Sequence, residues 1–254
     1  MVARFQQGDY AMSDELYSNY VRRLPHARSE RFISNWHLRL LRVALDNKKS
    51  NVMNVLEVGP GHGYFANHCI SEGLNYEFID NSKAVFTKLT ELGLNGHLGL
   101  VNEVSGQIDK KFDLIWMSHI LEHSPTWMDA RNLLDNAQKL LAENGSIVVI
   151  GPDAIDWGRQ FWNIDATHGY PTTLRNVTQL CDDVGLQISI AKHHRNASFG
   201  LFKRMIFSSL SCIPHSWVDR LLSPARARLG DGYVISWKAV FGWRQIFILA
   251  DRSK

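Results

Sequence analysis

Apolar runs and amphipathic segments alternate along the middle of the chain. The apolar runs have the length of buried strands, and the segments between them place apolar residues at helical spacing. Alternation of this kind favours an α/β fold with a parallel, doubly wound sheet and helices on both faces. The predicted strands lie near residues 52–58, 75–80, 97–102, 112–118 and 145–151.

Further elements flank this alternating region on both sides. They are a helix over residues 29–45, a helix over 172–184, a strand over 186–190 and a final strand over 243–251. Gly185 ends the second of these helices, because glycine readily adopts the left-handed conformation found at helix C-termini. The order leaves residues 193–242 as an insertion before the last strand.

Composition sets limits on the class of protein. A chain of 254 residues with 45% hydrophobic content can bury one substantial core, which suits one α/β domain with extensions. The formal net charge of +3 gives no reason to expect a nucleic-acid partner. Cys69, Cys181 and Cys212 form no Cys-x-x-Cys pair, which argues against zinc ribbons and disulfide frameworks. With no apolar run near the roughly 18 residues of a membrane span, we expect a cytoplasmic protein, either free or peripheral at the inner membrane face.

The insertion differs from the rest of the chain in charge and aromatic content. Residues 193–242 contain seven Lys or Arg side chains against two Asp, a net charge of +5, together with seven aromatic residues. One interpretation is a lid that packs its apolar face on the domain and leaves its basic residues solvated. A second is a membrane-surface contact or a docking site for a lipid-linked or phosphorylated acceptor. A third is an oligomer interface.

Residues 56–66 contain three alternate glycines between an apolar run and a helix-forming run. These glycines are Gly59, Gly61 and Gly63. They allow positive φ and a close approach of backbone to ligand, and the helix that follows presents free N–H groups. Glu57 would suit an ammonium group on a nucleoside. A dinucleotide fold is the alternative, but its third glycine is replaced here by Tyr64. Asp80, at the end of the next strand, could hold ribose hydroxyls in either fold.

Four blocks of sequence extend this pattern in order along the chain, over residues 57–63, 78–80, 112–123 and 140–150. With these blocks the chain resembles the class I S-adenosylmethionine-dependent methyltransferases, in the group whose fourth-strand motif ends in Glu-His, similar to methyltransferase domain families 11 and 23. The resemblance implies a Rossmann-like doubly wound seven-stranded sheet, parallel with one antiparallel strand. N-terminal helices and a helical insertion before the last strand would be added to it.

The expected organisation is a single methyltransferase domain over residues 1–254. Residues 1–50 would form an N-terminal helical cap, residues 51–192 and 243–254 the cofactor-binding core, and residues 193–242 the basic aromatic insertion or lid. The cap and the insertion are expected to cover the methyl acceptor.

The resemblance also implies which residues bind S-adenosylmethionine. Glu57 would orient the amino-acid end, Asp80 would bind the ribose hydroxyls and Asn81 would flank the adenosine. Residues near the adenine would be Asn102 and Glu103, although the usual Gly-Asp-Ala-like signature is missing there. The loop and the methionine side would be lined by Gly59, Pro60, Gly61, His62, Gly63, Tyr64, Ser118 and His119.

Two histidines are the candidate catalytic residues. His123, in the Glu-His motif, could remove a proton from a hydroxyl acceptor because imidazole titrates near neutral pH; support of the loop is the alternative. His168 could be a second base or an acceptor contact, or could cap the helix expected near Thr172. The segment 167–173 is similar to a Thr-His-x-x-Pro-Thr-Thr stretch of methyltransferases associated with bacterial surface polysaccharides. An Asn/Asp-Pro-Pro-Tyr loop for planar nitrogen acceptors is missing.

Metal binding at the same motif is left open, and no metal ligand is assigned. His119, Glu122 and His123 match the His-x-x-Glu-His pattern of inverted zinc proteases, but they follow a strand, so we interpret the match as coincidence. Some quinone-pathway O-methyltransferases hold a divalent metal with Glu-x-x-Glu-His, and His119 stands here in place of their first glutamate.

The predicted function is S-adenosylmethionine-dependent O-methylation of a hydroxyl on a small molecule or glycan, with a histidine base or with proximity alone supplying the acceleration. An RNA or protein methyltransferase and a non-catalytic binding protein of the same fold are the alternatives. An oligomer is compatible with the sequence.

Overall fold

A computed structural model describes residues 27–48, 51–195 and 244–252. These residues form one seven-stranded sheet in the order β3-β2-β1-β4-β5-β7-β6. All neighbouring strands pair in parallel except β7, which runs antiparallel to both β5 and β6. The strands are β1 (Asn54–Val58), β2 (Asn75–Asp80), β3 (Asn95–Leu98), β4 (Phe112–Ser118), β5 (Leu141–Pro152), β6 (Leu186–Arg195) and β7 (Arg244–Arg252).

Eight α-helices and two 3-10 turns connect these strands within the described part of the chain. No described helix is both long and apolar enough to cross a membrane. The helices are α1 (Ala27–Asn47), α2 (Tyr64–Ser71), α3 (Lys83–Glu91), α4 (Val101–Val104), α5 (Trp127–Gln138), α6 (Ala154–Trp157), α7 (Gln160–Ile164) and α8 (Leu174–Asp183), and the 3-10 turns are Ser105–Gln107 and Leu121–His123.

The core has two layers, one on each face of the sheet. Alternate residues of each central strand point to opposite faces, so Leu56 packs with one layer and Val55 with the other. Helices α4, α5 and α8 cover the first face, and α1, α2 and α3 cover the second. Because both faces are covered, the central strands are apolar almost throughout, as parallel strands usually are. The predicted doubly wound fold is confirmed.

Helix α1 packs on the second face and brings polar groups close to the carboxyl edge of the sheet. Trp36 is buried, and its ring centroid lies 6.2 Å from that of His119, which follows β4. Ser34 Oγ lies 2.8 Å from His68 Nε2 on α2, and Arg39 forms a 2.7 Å contact with His194 on β6. Helix α1 is therefore part of the described body, and it lies beside the edge where a ligand is expected.

Three predicted strand boundaries are wrong by four residues or more. Strand β5 begins at Leu141, four residues earlier than expected. The strand expected over residues 97–102 ends at Leu98, because Gly99 has φ +142° and turns the chain out of the sheet. Asn102 therefore lies in α4 and not at a strand end. Strand β6 continues to Arg195 by pairing with β7, so it takes in the first three residues of the predicted insertion. The remainder of that insertion, and residues 1–26 of the predicted cap, lie outside the described residues.

Candidate functional site

The carboxyl ends of β1 and β4 are neighbours at the centre of the sheet, and each is followed by a loop that faces the other. After β1, the three glycines of the loop all have positive φ: Gly59 (+68°), Gly61 (+54°) and Gly63 (+78°). A Cβ on Gly59 would lie 2.1 Å from Cδ1 of Ile120, which belongs to the loop after β4. Glycine is thus required by both the backbone and the close packing of the two loops.

Glu57 lies near the end of β1 and is almost completely buried. Its Oε2 accepts a 2.5 Å hydrogen bond from the hydroxyl of Tyr76 at the start of β2. Burial raises the pKa of Glu57 to about 8; the Tyr76 hydrogen bond opposes this rise, and the Asp80 charge adds to it. A buried carboxyl group in this state is stabilised by an arriving cation, because opposite charge favours the ionised form.

Asp80 closes β2 beside the glycine loop. Its carboxylate is buried and accepts a 2.8 Å hydrogen bond from the backbone N–H of Ser82, while Asn81 between them is half-buried. The N–H of Gly99 donates to the backbone carbonyl of Asp80, which brings the turn after β3 to the same edge. Glu103 accepts from the N–H of Leu100 and so helps to start α4. Both predicted adenine residues, Asn102 and Glu103, are exposed on this helix.

The loop after β4 contains a strained residue. His119 has φ +59°, the only positive value at a non-glycine residue among those that the structure describes. Its N–H donates to the carbonyl of Ile150 on β5, and its Nδ1 lies 3.0 Å from Oε1 of Glu122. A left-handed conformation costs about 1–2 kcal/mol for a residue with a Cβ, so the surrounding contacts must hold it.

Glu122 is the most deeply buried charged residue of this loop, with no exposed side-chain surface. Gly151 makes room for it, because a Cβ at that position would lie 3.2 Å from Glu122 Oε2. The backbone carbonyl of Glu122 accepts hydrogen bonds from the N–H groups of Gly169 and Tyr170. Although burial alone would raise the pKa of Glu122, the His119 hydrogen bond and charge bring it below the ordinary value.

His123 follows in a 3-10 turn, so the long helix of an inverted zinc protease is not formed here. Its Nδ1 lies 2.7 Å from Thr167 Oγ1, and that hydroxyl donates to Asp165 Oδ1 at 2.6 Å. The threonine oxygen must therefore accept from the imidazole, which places the proton of neutral His123 on Nδ1. Burial lowers the pKa of His123, although the Glu122 charge opposes this effect.

His168 is buried beside His123, with ring centroids 5.0 Å apart. Its Nδ1 lies 2.5 Å from the backbone carbonyl of Phe161 and donates to it, which leaves Nε2 as the unprotonated nitrogen of the neutral ring. The alternative of a helix cap is wrong, because α8 begins at Leu174 and is capped by the hydroxyl of Thr173. Within the described residues, Glu122, His123 and His168 each offer one ligand atom within 4.8 Å of the others.

The residues at this edge fit S-adenosylmethionine. The three glycines of the loop after β1 have positive φ and carry no Cβ, so a nucleoside could approach the backbone at these positions. Glu57 and Asp80 supply two buried carboxyl groups, which matches the number predicted for contacts with the ammonium and the ribose hydroxyls. His62 and Tyr64, with ring centroids 5.6 Å apart, add aromatic surface to the same loop.

In an open doubly wound sheet a ligand binds outside the carboxyl ends of the strands, which is where this loop and these two carboxyl groups lie. The chain belongs to the methyltransferase domain family, whose sequence model matches residues 25–189, more than half of its length. It is thus a class I S-adenosylmethionine-dependent methyltransferase, and the strand order with antiparallel β7 is typical of that class. No curated protein matches the chain.

Solved structures share the fold at low sequence identity. An S-adenosylmethionine-dependent methyltransferase from Archaeoglobus fulgidus is 19% identical with a TM-score of 0.58, covering 88% of this chain and 94% of its own. The N-methyltransferase NodS from Bradyrhizobium japonicum WM9, solved with S-adenosyl-L-homocysteine, is 17% identical with a TM-score of 0.59, covering 94% and 98%. One chain of a complex between the Haloferax volcanii Trm112 methyltransferase activator and a methyltransferase is 10% identical with a TM-score of 0.60, also covering 94% and 98%. At these identities the likeness shows the fold alone.

The structure brings most of the predicted site residues to one edge of the sheet. The glycine loop, Asp80 and the loop from Ser118 to His123 meet there, as the resemblance implied. What the sequence pattern missed is the joining of Glu122 with His168, which belongs to a distant segment. Gly169 was the available signal: a Cβ there would lie 2.7 Å from the carbonyl oxygen of Ser124, so the two segments touch through their backbones.

Proposed function

We propose that this methyltransferase transfers the methyl group of S-adenosylmethionine to a hydroxyl oxygen on a small molecule or glycan. The observation that carries the proposal is a pair of imidazoles: His123, at the end of the loop expected to hold the methionine side of the donor, and His168, whose ring centroid lies 5.0 Å from that of His123. A hydroxyl acceptor must lose a proton during transfer, and an imidazole with a free nitrogen can accept it.

His123 is the proposed base. Hydrogen bonding through Thr167 to Asp165 fixes its proton on Nδ1, so the lone pair on Nε2 is available for the acceptor. Its pKa lies below the ordinary value because the ring is largely buried, which keeps the ring neutral near pH 7. When bound, S-adenosylmethionine supplies an already activated methyl group: the oxygen–carbon bond forms as the carbon–sulfur bond breaks, and the proton passes to the imidazole. Correct positioning supplies much of the remaining acceleration.

A sugar or another ring-shaped acceptor is supported by the surface next to His168. Trp162 is 52% exposed, and its ring centroid lies 5.2 Å from that of Phe161, which in turn lies 4.6 Å from His168. An exposed tryptophan face packs well against the apolar face of a sugar ring. Trp157 is less exposed than Trp162, and its Nε1 donates to the carbonyl of Arg244.

The N-terminal cap is proposed to cover the acceptor together with the insertion. Trp36 of α1 lies near both His119 and His194, with ring centroids 6.2 and 6.3 Å apart, which supports this role for the described part of the cap. A contact between the basic insertion and anionic head groups, and an oligomer formed through it, stay predictions from the sequence.

The test is an acceptor screen with S-adenosylmethionine labelled with ¹³C in its methyl group. Monosaccharides, nucleotide sugars and phenols would be compared with matched amines, and the ¹³C chemical shift of the product distinguishes an O-methyl from an N-methyl group. We expect O-methyl products only. Labelled N-methyl products from the amines, with none from the hydroxyl compounds, would refute the proposal.

A further inference from the structure

We propose that Glu122, His123 and His168 form a binding site for one divalent transition-metal ion. Each residue offers one ligand atom, and these atoms lie within 4.8 Å of one another. This set differs from the sequence motif of His119, Glu122 and His123. Its third member is His168, from the distant segment before α8, and not His119. The role of the ion in catalysis rests on the proposed O-methylation. Binding of the ion to these three residues does not.

Both imidazoles are prepared as metal ligands by their own hydrogen bonds. Nδ1 of His168 donates to the carbonyl of Phe161, and Nδ1 of His123 donates to Thr167, whose hydroxyl is held by Asp165. Each ring therefore presents a free lone pair on Nε2. Ligand histidines in metalloproteins usually have the second nitrogen fixed in this way by a carbonyl or a carboxylate, which sets both tautomer and orientation.

The third ligand, Glu122, contains an unsatisfied oxygen. Its Oε1 is paired with His119, but Oε2 is fully buried and has no hydrogen-bond partner among the residues that the structure describes. A buried carboxylate oxygen without a partner costs free energy unless a ligand satisfies it. A cation among the three residues would remove this cost, and it would also neutralise the only carboxylate of the set.

Backbone contacts hold the two segments together without any metal. Gly169 N and Tyr170 N donate to the carbonyl of Glu122, and Gly169 has no side chain to separate the segments. Metal–nitrogen and metal–oxygen bonds of about 2.0–2.2 Å require ligand atoms roughly 3–3.5 Å apart. The present separations, at most 4.8 Å, exceed this by up to about 1.3–1.8 Å, so binding of an ion requires the three side chains to move closer together.

Two nitrogens and one carboxylate favour a particular group of metals. Imidazole suits Zn²⁺, Fe²⁺, Co²⁺ and Ni²⁺, whereas Mg²⁺ and Ca²⁺ prefer sites made of oxygen ligands. Three protein ligands leave at least one coordination position open, as in catalytic metal sites. A hydroxyl of the acceptor would occupy that position, and the ion would lower its pKa. With the ion bound, the Nε2 lone pair of His123 would be occupied, so the ion would favour loss of the proton and the proton would pass to solvent water.

The test is a titration of the full-length protein, freed of any affinity tag and treated with chelator, with Co²⁺. We expect one equivalent to bind and to give visible d–d absorption bands with nitrogen ligation. Glu122→Gln and His168→Asn should each weaken binding by about 100-fold or more. His97→Asn is the matched control, because His97 lies on β3 and pairs with Glu77 away from the cluster. It should leave binding unchanged.

Calorimetry with S-adenosylhomocysteine on each variant checks that the fold and the cofactor site are intact. The proposal is overturned if Co²⁺ does not bind, or if it binds equally to wild type and to Glu122→Gln, the variant that keeps the shape of the side chain. Failure of the proposed function would look different. In that case the metal would bind as described, and the acceptor screen would yield N-methyl products.

Discussion

The buried carboxyl of Glu57 makes the stability of this protein depend on pH in a direction that can be measured. Its pKa is about 8 in the folded protein, against an ordinary value of 4.5. Between these values the folded protein binds one proton at Glu57 that the unfolded chain does not. The contribution of Glu57 to the free energy of unfolding is therefore fully present below pH 4.5 and is lost as the pH rises through 8.

The size of the effect follows from linkage. Because one proton is taken up on folding, the free energy of unfolding falls by about 1.4 kcal/mol for each unit by which the pH rises. Glu57→Gln keeps the shape of the side chain and an oxygen that accepts the hydrogen bond from Tyr76, but it removes the group that titrates. Between pH 5.5 and 7.5 the variant should thus gain about 2–3 kcal/mol relative to wild type.

The assay is urea denaturation of wild type and Glu57→Gln at pH 5.5, 6.5 and 7.5. Buried histidines also make stability depend on pH; burial lowers the pKa of His37, for example, to about 3. Their contribution is the same in both proteins, so it cancels when the variant is compared with wild type. Glu77→Gln is the control on the neighbouring strand, since Lys110 and His97 hold the pKa of Glu77 below its ordinary value despite partial burial. A difference between wild type and Glu57→Gln that stays constant over this pH range would refute the reasoning.

Three further predictions concern the same edge of the sheet. S-Adenosylhomocysteine binding near pH 7 should release a proton from Glu57, seen as a dependence of the calorimetric enthalpy on buffer ionisation; a buffer-independent enthalpy would contradict this. Gly169→Ala should lower stability by about 1–3 kcal/mol because its Cβ would meet backbone atoms of Ser124, whereas Gly106→Ala has open space; equal melting temperatures would show the contact to be unimportant. His123→Ala should reduce turnover about 10²- to 10⁴-fold and leave cofactor affinity nearly unchanged; normal turnover would exclude it as the base.

Local pattern was sufficient to predict the sheet and the cofactor loop. Buried parallel strands such as β4 are continuous apolar runs, and a loop with three alternate glycines marks a place where the backbone must adopt positive φ. The resemblance then supplied the proposed roles of Glu57 and Asp80, and the structure places both residues at the expected edge.

Boundaries and distant contacts could not be predicted in the same way. Gly99 ends β3 by its backbone conformation, which the apolar residues on either side of it conceal. The polar end of β6 is held by pairing with β7 and by the contact of His194 with Arg39, neither of which has a local signature. The meeting of Glu122 with His168 depends on tertiary packing around Gly169.

The measurement that tests the cofactor site most directly is calorimetric titration of wild type and Asp80→Ala with S-adenosylmethionine, S-adenosylhomocysteine and NAD. Asp80→Ala removes the carboxylate proposed to bind both ribose hydroxyls, and charge-assisted hydrogen bonds of this kind contribute about 1.5–3 kcal/mol each. We predict that wild type binds the two adenosyl compounds and not NAD, and that the variant binds them at least about tenfold more weakly. Equal affinities in the two proteins, or binding of NAD alone, would contradict the proposed site.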